Sequence, residues 1–173
     1  MNIFALDKRP NIAAQMHCDK HVVKMVLETA QILSTVHHLY ESKRAKDAYK
    51  PTHKNHPCVK WAAESMGNYQ WLYRLFENLS REYKHRYGKN HKSWVKLWDV
   101  VNVAPRSPRR MPGPVTLLTP FALAMPDVYK FVSSDPVECY RAYYFHEKAE
   151  MLKYTNREPP EWLTTMTKTA AMA

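Results

Sequence analysis

The chain has 173 residues, 45% hydrophobic and 24% charged, which is the composition of one globular domain with a real core and excludes a disordered tail. Lys and Arg total 26 against 16 Asp and Glu, a formal net charge of +10 that points to a polyanionic partner, nucleic acid fitting best. Its three glycines, Gly67, Gly88 and Gly113, cannot assemble a GxGxxG or GxxxxGK[ST] phosphate cradle, so a nucleoside-triphosphate motor is not expected.

Ile3 to Leu6 is the one stretch with strand character, and nothing in the sequence resembles a sheet. No Gly or Pro occurs between Pro10 and Pro51, which predicts a long helix from about Asn11 to about Tyr40. The basic stretch ESKRAKDAYKPTHKNHP that follows reads as loop. Only Gly67 interrupts Val59 to Tyr87, which predicts a second long helix, with Gly88 at its left-handed stop. Along it Tyr69, Leu72, Phe76, Leu79 and Tyr83 repeat at core spacing, while Arg74, Arg81 and Arg86 are expected to point outward. A short helix is predicted over Ser93 to about Asn102. Pro105 to Pro120 carries five prolines together with Arg106, Arg109 and Arg110 and reads as an irregular cationic loop. A third long helix is predicted from Pro136 to about Tyr154, with Val137, Tyr140, Tyr144, Ala149 and Leu152 inward, before the breaker Pro159-Pro160 and Trp162. The fold class implied is all-α: a single compact domain of about three long helices plus short ones.

The segment HCDKHVVKMVLETAQIL, residues 17–33, carries the most chemistry. Wound at about 100° per residue, it places His17, His21, Lys24, Glu28 and Gln31 in one narrow stripe on a helix otherwise apolar around most of its circumference. A polar stripe on such a helix faces a cleft or a partner. Glu28 beside Lys24 and His21 is a carboxylate whose proton affinity burial and cationic neighbours can tune, the basis of acid or base work. The plainer alternative is an i, i+4 pair of Lys24 with Glu28 on a solvated strip.

His17 and His21 also have the i, i+4 spacing of helical metal ligands, with Cys18, His56 or Cys58 as further donors. The HExxH pattern fails at Cys18 and Asp19, and histidines that contact phosphate or close the core are the commoner outcome, so no metal or other cofactor is expected. Three cysteines without a CxxC pair suggest neither a disulfide framework nor a thiolate zinc site. The start MNIFALDKRP is not a secretory leader, and no apolar run of about 18 residues occurs, so a soluble cytoplasmic protein, host cytoplasm if phage-encoded, is expected.

For nucleic-acid contact the three arginines of Pro105 to Pro114 stand out, because they sit on a loop rather than filling helix surface. The tail REYKHRYGKNHK of the second helix suits phosphate contacts or a solvated face equally. Lys20, Lys54, His56 and Arg74, with His17, complete the candidate contacts.

LDKRPNIAAQMHCDKHVVKMVLETAQIL near the start, NHPCVKW, YRLFENLSREYKHRYG, and MPDVYK through EKAEMLKYTNREPPEW together resemble the phage-type pyrimidine-dimer DNA glycosylases, also called endonuclease V-like. Residues 42–55 have no counterpart in that pattern. The resemblance implies a helical domain bound across duplex DNA that flips a nucleotide and cleaves its glycosidic bond through an imine with an enzyme amine. It assigns the family's essential glutamate to Glu28 and the nucleophile to the α-amine of Met1, an amine with an unperturbed pKa near 8. Family members of known activity expose a small second residue, whereas Asn2 here is large enough to leave Met1 in place. Leu27 and Gln31 stand where the family has arginines, so Lys24 and His21 are expected to supply that charge, and Lys24 is a substitute nucleophile if its pocket desolvates it. Arg157 and Trp162 resemble the stretch that packs beside the flipped base, with Trp162 as core filler the alternative.

The function implied is a DNA glycosylase, AP-lyase activity left open, that excises a damaged or modified pyrimidine from duplex DNA, acting as a monomer without membrane or nucleotide-triphosphate partners. The alternatives are a non-catalytic nucleic-acid-binding phage accessory or counter-defence protein on the same scaffold and, more remotely, a His/Cys metal-dependent hydrolase.

Overall fold

The computed structural model describes residues 1–106 and 108–171, with side chains described as far as residue 166. An extended N-terminal strap leads into α1 (Pro10–Met16) and α2 (Asp19–Leu39), followed by a 3-10 turn over Lys43–Asp47. Then come α3 (Pro57–Glu64), α4 (Met66–Tyr87), α5 (Lys92–Val101), α6 (Asp127–Lys130), α7 (Pro136–Lys148), a 3-10 turn over Ala149–Met151, and α8 (Glu161–Ala171). The described residues are all-α and contain no strand, so Ile3 to Leu6 does not pair in a sheet. Ile3, Ala5 and Leu6 instead lie fully buried as an extended core segment.

α2 is the axis of the domain, packed against α4, α3 and α5, while α1 lies on α4. Val22, Met25, Val26, Ala30, Ile32, Leu33 and Val36 are wholly inside, but Val23 and Leu27 lie with Lys20 and Lys24 on an exposed strip along the first half of the helix, so its burial is not all-round. Tyr69, Leu72, Phe76 and Leu79 of α4 are buried as their spacing predicted, and Gly88, at φ 70, stops that helix in the left-handed conformation.

Both predicted long helices at the N-terminal side are broken by tertiary contacts that no Gly or Pro announces. His17 and Cys18 are extended, with ψ of 136° and 165°, so His17 caps α1 and is not part of the α2 stripe. The freed backbone groups find partners across the chain: the Cys18 N–H donates to Tyr144 Oη at 2.9 Å and the Asp19 N–H to the Lys153 carbonyl at 2.8 Å. Ser65 is likewise extended between α3 and α4. There the Pro-rich loop docks, with the Met66 N–H donating to the Pro112 carbonyl and Ser65 Oγ to the Leu117 carbonyl. Gly67 permits this approach, because a Cβ there would collide with the Leu117 backbone.

Two further expectations fail for packing reasons. Ala149 lies exposed in the 3-10 turn that ends α7 rather than facing inward. Arg86, expected outward, is 4% exposed at the centre of a charged web. Its Nη1 lies 3.0 Å from Asp19 Oδ1, its Nε donates to Glu82 Oε1 at 2.9 Å, and its Nη2 donates to the Gln15 carbonyl. Arg157 forks onto the same Glu82 at 2.9 and 2.7 Å, and Thr155 gives Asp19 both its N–H and its hydroxyl. Burial pushes the Asp19 and Glu82 carboxyls up, but donors from Thr155 and Arg86, and from Arg157 and Arg86, outweigh it and hold both below the usual carboxylate range. The web ties the ends of α1, α2 and α4 to the C-terminal segment. Glu82→Ala leaves the buried Arg86 guanidinium short of a partner, and urea denaturation is expected to show a loss on the order of 3–5 kcal/mol.

Candidate active site

The site forms where the N-terminal strap crosses α2. Glu28, on the second turn of α2 past His21, has a side chain only 11% exposed. Its Oε2 accepts the Asn2 N–H at 2.9 Å, and its Oε1 lies 3.9 Å from the Met1 amino nitrogen and 3.4 Å from Lys24 Nζ. One carboxylate oxygen is therefore spent on the backbone, while the other faces two nitrogens.

Asn2 sets this geometry. Its Nδ2 donates to the Ala124 carbonyl at 2.7 Å, and its Oδ1 accepts the N–H groups of Ile3 and Phe4 at 2.7 and 3.0 Å. Ala124 is itself held from α7, because Tyr140 Oη accepts its N–H and donates to the Ala122 carbonyl. Phe4 adopts φ 36, a strained value for a bulky residue, and so turns its ring onto His21 at a centroid distance of 4.5 Å. His21 Nδ1 meets Tyr144 Oη at 2.8 Å. Burial, with the nearby positive potential of His17, Lys148 and Lys24, pushes the His21 imidazole down to about 3. His21 is thus neutral and cannot supply the cationic charge expected of it.

Lys24 is the cation that remains beside Glu28. Its side chain is 67% exposed, so no pocket desolvates it, and the expected condition for Lys24 as nucleophile is not met. From the other side comes α3. His56 Nδ1 accepts the Cys58 N–H at 3.2 Å and caps the helix, which leaves the proton on Nε2 in the neutral ring. Burial and then the positive amino terminus hold the His56 imidazole below its usual value, while Glu28 opposes them, so the ring senses both groups. Cys58, buried beneath, is pushed up to about 12 by burial and is no thiolate nucleophile at neutral pH.

The remaining candidates lie elsewhere. His17 is wholly buried, its Nδ1 on the Ala13 carbonyl at 2.7 Å and its Nε2 without a partner, so in this fold it offers nothing to a phosphate. Arg157 is engaged by Glu82, and Trp162 donates to Met16 Sδ at 3.4 Å and packs edge-on against Tyr144. Both belong to the Asp19 end of α2, about 14 Å along the helix from Glu28 at 1.5 Å per residue. Arg109 lies 3.7 Å from Glu41, just past the C-terminal end of α2. Arg106 and Arg110 line a hollow of about 470 Å³ with Met66 and Val115, and Arg74 lines a separate groove of about 310 Å³ beside Trp71. Lys20 and Lys54 are exposed. Among the described residues no group of three or more His, Cys, Asp or Glu is disposed to hold a metal ion, and no helix is long and apolar enough to cross a membrane.

Helical spacing placed Tyr140 and Tyr144 inward but could not say what they meet, because the contacts that join Asn2, Phe4, Tyr140 and Tyr144 into the site span up to 140 positions. For Asn2 the signal was its size as a second residue. A family model described as pyrimidine dimer DNA glycosylase matches residues 1–96, the stretch that holds the strap, Glu28 and His56. No match was found among curated proteins or among solved structures.

The buried histidines make stability depend on pH. Burial holds His17, His21 and His37 at about 4, 3 and 4, against 6.5 for the free side chain. The unfolded chain therefore binds more protons than the folded one below about pH 6.5, and stability is full above that value and lost as pH falls toward 4, by up to about 1.4 kcal/mol per pH unit for each histidine. Urea midpoints measured between pH 7 and pH 5 are expected to fall, with a proton uptake on unfolding approaching three. A flat profile would contradict this burial.

Proposed function

This chain belongs to the pyrimidine dimer DNA glycosylases, and we propose that it excises a damaged pyrimidine from duplex DNA through an imine formed by the amine of Met1, with Glu28 moving the protons. The observation that carries the proposal is the Met1 nitrogen 3.9 Å from a carboxylate whose second oxygen is locked by the Asn2 N–H. An α-amine suits the task, because its nitrogen is nucleophilic once it has given up its proton.

The neutral amine attacks C1′ of a nucleotide flipped from the stack, and the C1′–N1 bond breaks with its electron pair leaving on the base, which is then protonated. Glu28 Oε1 takes the proton lost by the new C–N nitrogen and returns it to O4′ as the C1′–O4′ bond opens, leaving a cationic imine beside the carboxylate. Loss of a C2′ proton with departure of the 3′ phosphate would then nick the strand. Lys24 adds positive charge at the rim. Flipping is cheapest, a few kcal/mol or less, at a base already unstacked by damage, which favours a lesion over normal DNA.

Borohydride added to protein with ultraviolet-irradiated duplex is expected to trap a covalent adduct that mass spectrometry maps to residue 1. Glu28→Gln is expected to lower trapping by about 100-fold or more while DNA affinity stays within a few fold, in line with loss of acid–base catalysis. Trapping at the wild-type rate would remove Glu28 from the role, and no wild-type adduct across a panel of lesions would leave a protein that binds DNA without chemistry.

A further inference from the structure

Residues 41–56 form a strap along α2 whose two sides differ completely. The inner side is all docking. Ser42 Oγ meets His37 Nδ1 at 2.9 Å, the Tyr49 carbonyl meets His38 Nε2 at 3.0 Å, and the Tyr49 N–H donates to Ser34 Oγ. The Thr52 N–H donates to Thr35 Oγ1, which returns a bond to the Thr52 carbonyl. Arg44 reaches across to the Asp99 and Val100 carbonyls that end α5, and Tyr49 Oη donates to Ser93 Oγ under the ammonium of Lys96, 5.0 Å from the ring. The strap then ends at His56, which caps α3.

The outer side is lysine. Lys43, Lys46, Lys50 and Lys54 are all exposed, and among the described residues none of them makes an ion pair or a hydrogen bond. Lys43 and Lys46 stand three apart in a 3-10 turn, where such positions eclipse, so their ammonium groups leave on one side. With the exposed Asp47 the one acid between them, the four lysines leave a net positive face that an anionic partner would stabilise.

Building on the DNA-directed function proposed above, we infer that this strap is a rail for the phosphate backbone of duplex DNA, leading one strand to the Met1 amine. The strap's hydrogen bonds to α2 fall on Ser34 to His38, and it ends at His56, the cap of α3, a helix that packs on α2 and whose capping imidazole feels the charges of the amino terminus and Glu28. The arginine loop meets the start of this strap, where Arg109 lies 3.7 Å from Glu41 and Arg106 lines a hollow with Lys43 and Arg44.

The test is the salt dependence of binding to ultraviolet-irradiated duplex. In the Lys43→Gln, Lys46→Gln, Lys50→Gln triple variant the slope of log affinity against log salt is expected to shrink by about 2–3 units, at roughly 0.9 for each phosphate that a lysine no longer neutralises. A single Lys46→Glu, which touches no packed group, is expected to weaken binding more at low salt than at high salt. A slope equal to wild type in both variants, with the wild-type adduct still trapped by borohydride, would overturn the rail and leave the glycosylase proposal standing. A wild-type chain that neither binds the duplex nor forms an adduct would remove both.

Discussion

Everything at the site depends on a carboxylate that cannot be left alone inside the protein. A buried Glu28 without partners would be strongly destabilising, so the fold surrounds it with an amide donor from Asn2, the amino terminus and Lys24. Satisfying that one side chain fixes where the first two residues lie. They reach it because Ile3, Ala5 and Leu6 are sealed into the core and Phe4 accepts a left-handed backbone. The strain at Phe4 is balanced by the Asn2 turn and by ring contacts with His21 and Tyr144.

Support for this corner comes from both parts of the chain. Residues 1–96, which match the family, contribute the amine, the glutamate and the histidine at the head of α3. Residues beyond that match hold them in place. Tyr140 grips the backbone at Ala122 and Ala124, Ala124 grips Asn2, and Tyr144 bonds His21 and the helix break at Cys18. A buried polar network of this kind is stable only when each member is satisfied, and here each of these hydroxyls has its partner.

The same logic explains the charged web at the other end of α2. Arg86 enters the interior because Asp19, Glu82 and the Gln15 carbonyl together use its donors, and Glu82 in turn fixes Arg157. The positive charge left over after such pairings lies on the surface, including the lysines of residues 41–56 and the loop carrying Arg106, Arg109 and Arg110.

The all-helical class and the inward position of Glu28 were legible from residue spacing and from the near-absence of Gly, because helical periodicity is local. So were the stop at Gly88 and the inward row of α4. The polar stripe was not, because His17 leaves the helix, His21 is buried, and Val23 and Leu27 share the exposed strip with Lys24. The breaks at His17 and Ser65 were not, since the hydrogen bonds that replace helical ones come from Tyr144, Lys153, Pro112 and Leu117, far along the chain. The same distance hid the burial of Arg86, the neutrality of His21 and the anchoring of Asn2. The sequence by itself determined that the fold is helical, where α4 stops and that Glu28 looks inward. Only the tertiary structure decided which amine, donors and rings meet that carboxylate, because those partners are chosen by packing between remote segments rather than by neighbours in the chain.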